Sequence, residues 1–348
     1  MERMAIIGLG LIGGSLGLAL KASKLTDVEI VGYDTDTIAA VDARRRGAVD
    51  KTEPTLQRAT AEAGLVILAT PIVAMRQVME EMASGLRENC VVTDTASTKA
   101  LVMEWASQLL PPNVSFVGGH PMAGKETAGI ANADAKLFAG KSYCVIPSPN
   151  ATEGAARLVV GLVHLIGAQP LFIDAGEHDR YVAAISHLPL VLSTALFTLV
   201  RSSPAWPELA ALASSGFRDV TRLASGDPGL SHDICLTNRE AILHWLERLA
   251  EELSRYRELL AEGQEEDLFK LFTQAQLDRD TYMAAGPPTR PRVAADVPDA
   301  GEQLVALLVG ERLVRRVREL GKLLSERSAE GRPQAGGRPP PPKTDGRP

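Results

Sequence analysis

Ile6-Ile7-Gly8-Leu9-Gly10-Leu11-Ile12-Gly13-Gly14-Ser15 sets three glycines at the spacing GxGxxG, at Gly8, Gly10 and Gly13. Alone this spacing is a weak signal. Here an apolar strand pattern enters it, an apolar helical pattern leaves it, and a second strand pattern ends in Asp34. Gly8 suits the tight turn, Gly10 lets backbone approach a pyrophosphate, and Gly13 lets the helix pack against the strand. Ile12 sits in the first turn of that helix, whose free N–H groups and positive dipole end favour a phosphate. A carboxylate at Asp34 can accept from both hydroxyls of an adenosine ribose and repels a 2′-phosphate. No Arg follows it in Asp34-Thr35-Asp36, so the expected cofactor is NAD rather than NADP.

Outward from this loop the first 173 residues alternate strand and helix. Residues 4–8, 29–33, 65–69, 91–94, 115–118, 142–146 and 169–173 have the pattern of short buried strands. Helical patterns lie between them, among them 72–83, 98–109 and 153–166. Such alternation predicts a Rossmann-type α/β domain over 1–173, a mostly parallel sheet covered on both faces. From 174 to 285 the periodicity is only helical, which predicts an all-α C-terminal domain. Its longest run, 238–262, sets Ile242, Leu243, Leu246, Leu249, Leu253, Tyr256 and Leu259 on one stripe, suited to a core or a dimer seam. The apolar stretch 182–200 contains Ser186, His187 and Pro189, and is expected to be a buried helix rather than a membrane span. Residues 286–348 form a tail: a Pro-rich break, one amphipathic pattern over 302–325, and a Gly, Pro and charge-rich end expected to be disordered.

The formal net charge of −6 is spread along the chain and argues against nucleic acid, which needs a basic face. A small anionic substrate needs only a few local cations. Cys90, Cys144 and Cys235 form no CxxC pair, and a strand pattern begins at residue 4, so a cytoplasmic enzyme is expected. No His, Cys or acid cluster has metal-ligand spacing.

Ligands of open α/β sheets bind at the carboxyl ends of strands, which places Thr70-Pro71 and Asp94-Thr95-Ala96-Ser97 beside the nicotinamide. Gly118-Gly119-His120-Pro121-Met122-Ala123-Gly124-Lys125-Glu126 puts a histidine at another strand end. Histidine suits alcohol oxidation, because it can take the hydroxyl proton as hydride leaves the carbon. In the helical part, Ala184-Ile185-Ser186-His187-Leu188-Pro189 and Ser214-Ser215-Gly216-Phe217-Arg218-Asp219-Val220-Thr221-Arg222 are the segments suited to close a pocket. Arg218 and Arg222 stand four apart, with Asp219 beside them. His187 fits a core position as well as a ligand contact, and His164, His178, His232 and His244 are expected to be structural or exposed.

Taken in order, these segments resemble the prephenate and arogenate dehydrogenase family of tyrosine biosynthesis, over roughly residues 3 to 285. The most specific matches are Gly119-His120-Pro121-Met122-Ala123-Gly124 and Gly216-Phe217-Arg218-Asp219-Val220-Thr221-Arg222; Asp94 to Lys99 and Ser186 to Pro189 also match. The resemblance implies NAD-dependent oxidative decarboxylation of prephenate to 4-hydroxyphenylpyruvate, with arogenate or dual use as the alternative. It implies that His120 is the base, that Ser97 holds the substrate hydroxyl, and that Arg222 binds a substrate carboxylate. Glu126 and Asp219 would belong to a polar network gating the pocket, and the helical domain would form a homodimer.

The sequence departs from the family at Leu190, where some prephenate-specific members carry a second histidine. Residues 293–299 look like the start of a ligand-sensing ACT domain that the chain is too short to finish. A β-hydroxyacid dehydrogenase would need a lysine in helix 175–201, which has none. An NAD-sensing regulator would not require a histidine at a strand end.

Overall fold

The computed structural model describes residues 2–23, 25 and 27–285. The tail expectations, including the helix over 302–325 and the pattern at 293–299, lie outside the described residues. Eight strands form one sheet: β1 (Glu2–Ile7), β2 (Val28–Tyr33), β3 (Lys51–Thr52), β4 (Ala63–Leu68), β5 (Val91–Asp94), β6 (Ser115–Pro121), β7 (Ser142–Pro147) and β8 (Gln169–Phe172). Their order is β3-β2-β1-β4-β5-β6-β7-β8. Pairing is parallel from β3 through to β6, antiparallel between β6 and β7, and parallel again between β7 and β8. All seven strand patterns form strands; the two-residue β3 has no pattern of its own.

Six helices connect these strands: α1 (Leu11–Ala22), α2 (Thr37–Arg45), α3 (Leu56–Thr60), α4 (Ile72–Ala83), α5 (Ala100–Leu109) and α6 (Glu153–Leu165). Short polar side chains cap several of them, as N-cap chemistry requires. Asp36 accepts from Ile38 and Ala39, Thr55 from Arg58, and Thr152 from Ala155. β4 is buried along its whole length, and Val66, Leu68, Ile72, Met75, Met79 and Met82 pack into one core. Burial of this kind on both faces explains the continuous apolar runs of the central strands.

Beyond β8 the chain is helical: α7 (Ala175–Val182), a π-turn at Ala183–His187, α8 (Leu188–Arg201), α9 (Trp206–Leu212), α10 (Ser215–Thr221), α11 (Pro228–Thr237), α12 (Arg239–Ala261) and α13 (Glu265–Ala285). Its contacts with the sheet domain are polar as well as apolar. The Val73 N–H donates to Asp233 at 3.1 Å, and the Thr98 and Thr237 hydroxyls lie 2.8 Å apart.

One expectation is corrected here. The apolar stretch 182–200 is helical but not a buried helix: within α8 only Ser193 is buried, and Leu199 is 71% exposed. Within the stripe on α12, Ile242 is buried whereas Leu243 and Leu253 are exposed, as are Phe269 and Phe272 on α13. The continuous helix Ala175–Arg201 is also long and apolar enough, by length and composition, to cross a membrane. Apolar sequence marks surface to be covered without saying by what.

Candidate active site

The glycine loop joins β1 to α1. Gly8 adopts φ +93°, and a Cβ there would meet the Ala69 carbonyl oxygen at 2.4 Å. A Cβ on Gly13 would stand 1.9 Å from the Gly8 carbonyl oxygen, so helix and turn touch through backbone alone. Gly10, the N-cap of α1, has nothing within 4 Å of its Cβ position and no side-chain cap on the helix end. Two glycines are thus required by packing, and the third opens space over free N–H groups, Ile12 among the first-turn residues.

Asp34 follows β2, and its carboxylate accepts from the Leu9 N–H at 2.7 Å and the Asp36 N–H at 2.8 Å. Each oxygen keeps a further lone pair for a ribose hydroxyl. Thr70 and Pro71 lie after β4, where Pro71 is the N-cap of α4 and the Thr70 hydroxyl is buried with no hydrogen-bond partner among the described residues. Gly10, Ile12, Asp34 and the Thr70 hydroxyl fit a dinucleotide lying across the carboxyl edge of the sheet. Asp34→Ala should raise the Michaelis constant for NAD several-fold and raise the NADP to NAD ratio of specificity constants. An unchanged ratio in initial-rate assays would remove Asp34 from cofactor selection.

β5 and β6 run parallel and neighbouring, so Ser97 and His120 leave the sheet at the same edge. Ser97 is half-buried in the turn between β5 and α5, and His120 is buried. The glycines before His120 clear space as expected. A Cβ on Gly119 would meet the Asp94 carbonyl oxygen at 2.4 Å, and one on Gly118 the Met103 sulfur at 2.8 Å. Beneath His120 lies a fully buried ion pair, the Lys99 ammonium against the Asp94 carboxylate. Lys99 Nζ also donates to the Gly119 carbonyl at 2.7 Å.

His178, expected to be structural or exposed, is buried against His120. It is 1% exposed, and its Nε2 lies 2.8 Å from His120 Nδ1. Its Nδ1 lies 2.8 Å from Asp179 Oδ1. Asp179 also accepts from the Lys99 N–H at 2.7 Å and the Ala100 N–H at 2.8 Å, capping α5 from across the domain junction. That cap is why the helix expected from 98 begins at Ala100. An Asp beside a His in the first turn after the last strand was the available signal, and its partner 58 residues away was not.

His187 ends the π-turn and is buried. Asn238 donates from Nδ2 to the Asp179 carbonyl at 2.8 Å and lies 3.1 Å from His187 Nδ1. With Nδ1 accepting, His187 carries its proton on Nε2, which is buried and unpartnered among the described residues. Leu190, one turn further, packs with the core and borders a cavity between α8 and α11 together with Ser231 and Cys235. Arg222 begins the 3-10 turn after α10 and pairs with Glu126 from the loop between β6 and β7; both are largely exposed. Asp219 is exposed on α10 and forms no ion pair among the described residues.

Burial, reinforced by His178, Lys99 and His187, holds His120 well below the usual histidine pKa. Burial pushes His187 down from 6.5 to about 4, against the attraction of Asp179. Both are therefore neutral when folded, whereas the unfolded chain binds their protons near 6.5. Protons then favour unfolding, so this stability is complete above 6.5 and is lost as pH falls toward about 4. The melting temperature should drop between pH 7 and pH 4.5, and His187→Gln should flatten that slope; an equal slope in the variant would contradict the burial argument.

A glycine loop fitted to a dinucleotide, with a buried histidine and a half-buried serine at the same sheet edge, defines an NAD-dependent dehydrogenase. Residues 16–171 match the family model described as the nucleotide-binding domain of prephenate dehydrogenase, and residues 174–274 match its dimerization domain. The prephenate dehydrogenase of Bacillus subtilis (strain 168) is 33% identical over 325 residues, 90% of this chain and 86% of the relative. The Aquifex aeolicus prephenate dehydrogenase, solved with hydroxyphenyl propionate and NAD+, superposes with a TM-score of 0.75 at 27% identity. That match covers 80% of this chain and 97% of the other. The Synechocystis arogenate dehydrogenase gives 0.69 at 30% identity, covering 80% and 99%. The chain belongs to the prephenate dehydrogenase family.

Proposed function

We propose that the chain catalyses the oxidative decarboxylation of prephenate to 4-hydroxyphenylpyruvate. The carrying observation is His120, buried at the end of β6 beside the Ser97 turn, at the edge where the glycine loop and Asp34 receive the cofactor. NAD supplies the hydride acceptor. His120 takes the proton of the C4 hydroxyl as the C4–H bond breaks and its electron pair leaves as hydride. The bond between C1 and its carboxylate then breaks, CO2 departs, and the electron pair left behind makes the ring aromatic. The borrowed proton returns to the phenolate oxygen, so no net proton is released. Ser97 holds the hydroxyl, His187 offers its Nε2–H, and Arg222 receives a carboxylate.

Glu126 pairs with Arg222 through a carboxylate, which supports Arg222 as a receptor for a carboxylate of the substrate. Asp219 is exposed on α10, three residues before Arg222. Arg222→Ala should raise the substrate Michaelis constant roughly 10- to 100-fold, the equivalent of about 1.5–3 kcal/mol for a charge-assisted bond. Arg222→Lys should not restore it fully, since lysine lacks the planar fork. An unchanged constant would return Arg222 to the solvated surface.

Prephenate and arogenate share the ring carboxylate and the hydroxyl, so Arg222, His120 and Ser97 do not distinguish them. NADH formation followed by absorbance is expected with prephenate and, measurably, with arogenate; no NADH from either would overturn the reading. The exposed apolar faces of α8, α12 and α13 support a homodimer through the helical domain, in the cytoplasm, with a sedimentation mass twice that of one 37.1 kDa chain.

A further inference from the structure

We propose that His178 and Asp179 are positioning residues that lock His120 with its Nε2 lone pair toward the substrate and stabilise the proton it borrows. The inference rests on the reading of His120 as the base. Its argument begins at Asp179. An ionised carboxylate only accepts, and this one is addressed by the Lys99 and Ala100 N–H groups and by His178 Nδ1. His178 Nδ1 must therefore donate. A neutral His178 then has its lone pair on Nε2, 2.8 Å from His120 Nδ1, so His120 Nδ1 must donate in turn. The proton of a neutral His120 is thereby spent on Nδ1, and Nε2 is left as an acceptor. In the reverse tautomer a lone pair on His178 Nδ1 would face a carboxylate oxygen at 2.8 Å, two acceptors with no proton between them.

Charge counting points the same way. The groups about His120 come from every element packed on it: Asp94 and Lys99 from β5 and the following turn, Tyr143 and Cys144 from β7, His178 and Asp179 from α7, and His187 from the π-turn. Lys99 and Asp94 cancel one another. Asp179 has no lysine or arginine partner among the described residues, only backbone N–H groups and His178. The cluster carries one uncompensated buried negative charge at rest and none once His120 is protonated. A base that must hold a proton briefly in a dry site is served by a carboxylate placed behind it, reached here through a second imidazole.

Loss of the orienting groups should act on turnover and not on binding. Asp179→Asn and His178→Leu are each expected to lower kcat about 10- to 100-fold, with the Michaelis constants for prephenate and NAD within about threefold. His178→Gln, whose amide oxygen can still accept from His120 Nδ1, should lose less. In Asp179→Asn the acidic limb of kcat should also move to lower pH, because the charge favouring protonated His120 is gone. A packing role alone would not move it. Nitrogen-15 NMR of the histidine rings in the wild-type chain gives a readout independent of turnover and of variant folding: His120 and His178 should both carry the proton on Nδ1. An Nε2–H tautomer at His120 would overturn the proposal. So would variants that keep kcat and its acidic limb while His120→Ala is inactive. Absence of NADH with either substrate would sink the functional reading instead and leave the tautomer result standing.

Discussion

Replacement of His120 by Ala or Asn is expected to lower turnover by roughly 10²–10⁴-fold, the usual worth of a positioned general base. Affinity for NAD should change little, since the groups proposed to hold the cofactor, the glycine loop and Asp34, lie at β1, α1 and the end of β2 rather than on β6. The two replacements test different things. Alanine removes both nitrogens and leaves His178 Nε2 without its 2.8 Å partner. Asparagine is closer in polarity but offers no group that ionises near neutral pH, so it should be nearly as inactive. Steady-state kinetics with prephenate, together with NAD titration of each variant, separate the effects. Near-native turnover of either variant at neutral pH would remove His120 from the chemistry, and a large loss of NAD affinity would point to a collapsed pocket.

The division of labour in this site follows what local sequence can and cannot encode. Glycine spacing, the acid closing β2 and the strand rhythm are local, and Gly8, Gly13 and Asp34 sit where that pattern places them. His120 was legible because two glycines and a proline frame it at a strand end. His178 was not, because its meaning lies in contact with His120 across the junction of sheet and helices. Lys99 shows the same limit, since nothing in Ser97-Thr98-Lys99 marks a lysine that never meets water. Arg222 and Glu126 belong to segments far apart in the sequence and read separately, and only the fold shows that they pair. α8 failed in a further way. Its apolar composition is that of a core helix, and hydrophobicity alone does not separate a surface covered by the same chain from one covered by another.

The Asp94–Lys99 pair carries the second large expectation. Asp94→Asn should destabilise the chain by about 3–5 kcal/mol, the range for breaking a buried ion pair from one side. The pair is wholly buried and joins three elements. Asp94 accepts from the Gly119 N–H at 2.9 Å and the Ala96 N–H at 2.8 Å, and Lys99 returns to the Gly119 carbonyl. Asparagine preserves the volume but not the charge, which leaves an ammonium in a dry interior. Burial already lowers the Lys99 pKa, and Asp94 is the main force opposing that shift. Without Asp94 the lysine should shed its proton far more readily in the folded chain than in the unfolded one. The unfolded state then binds the extra proton, so the variant should regain stability as pH rises from 7 to 9. Adding Lys99→Met should also recover part of the loss by removing the stranded charge, giving a coupling energy of about 1–3 kcal/mol in a double-mutant cycle. Denaturant midpoints at fixed protein concentration measure all of these quantities. A loss below about 1 kcal/mol for Asp94→Asn, or a stability that falls between pH 7 and 9, would mean that the pair is solvated and does not form the floor on which His120 rests.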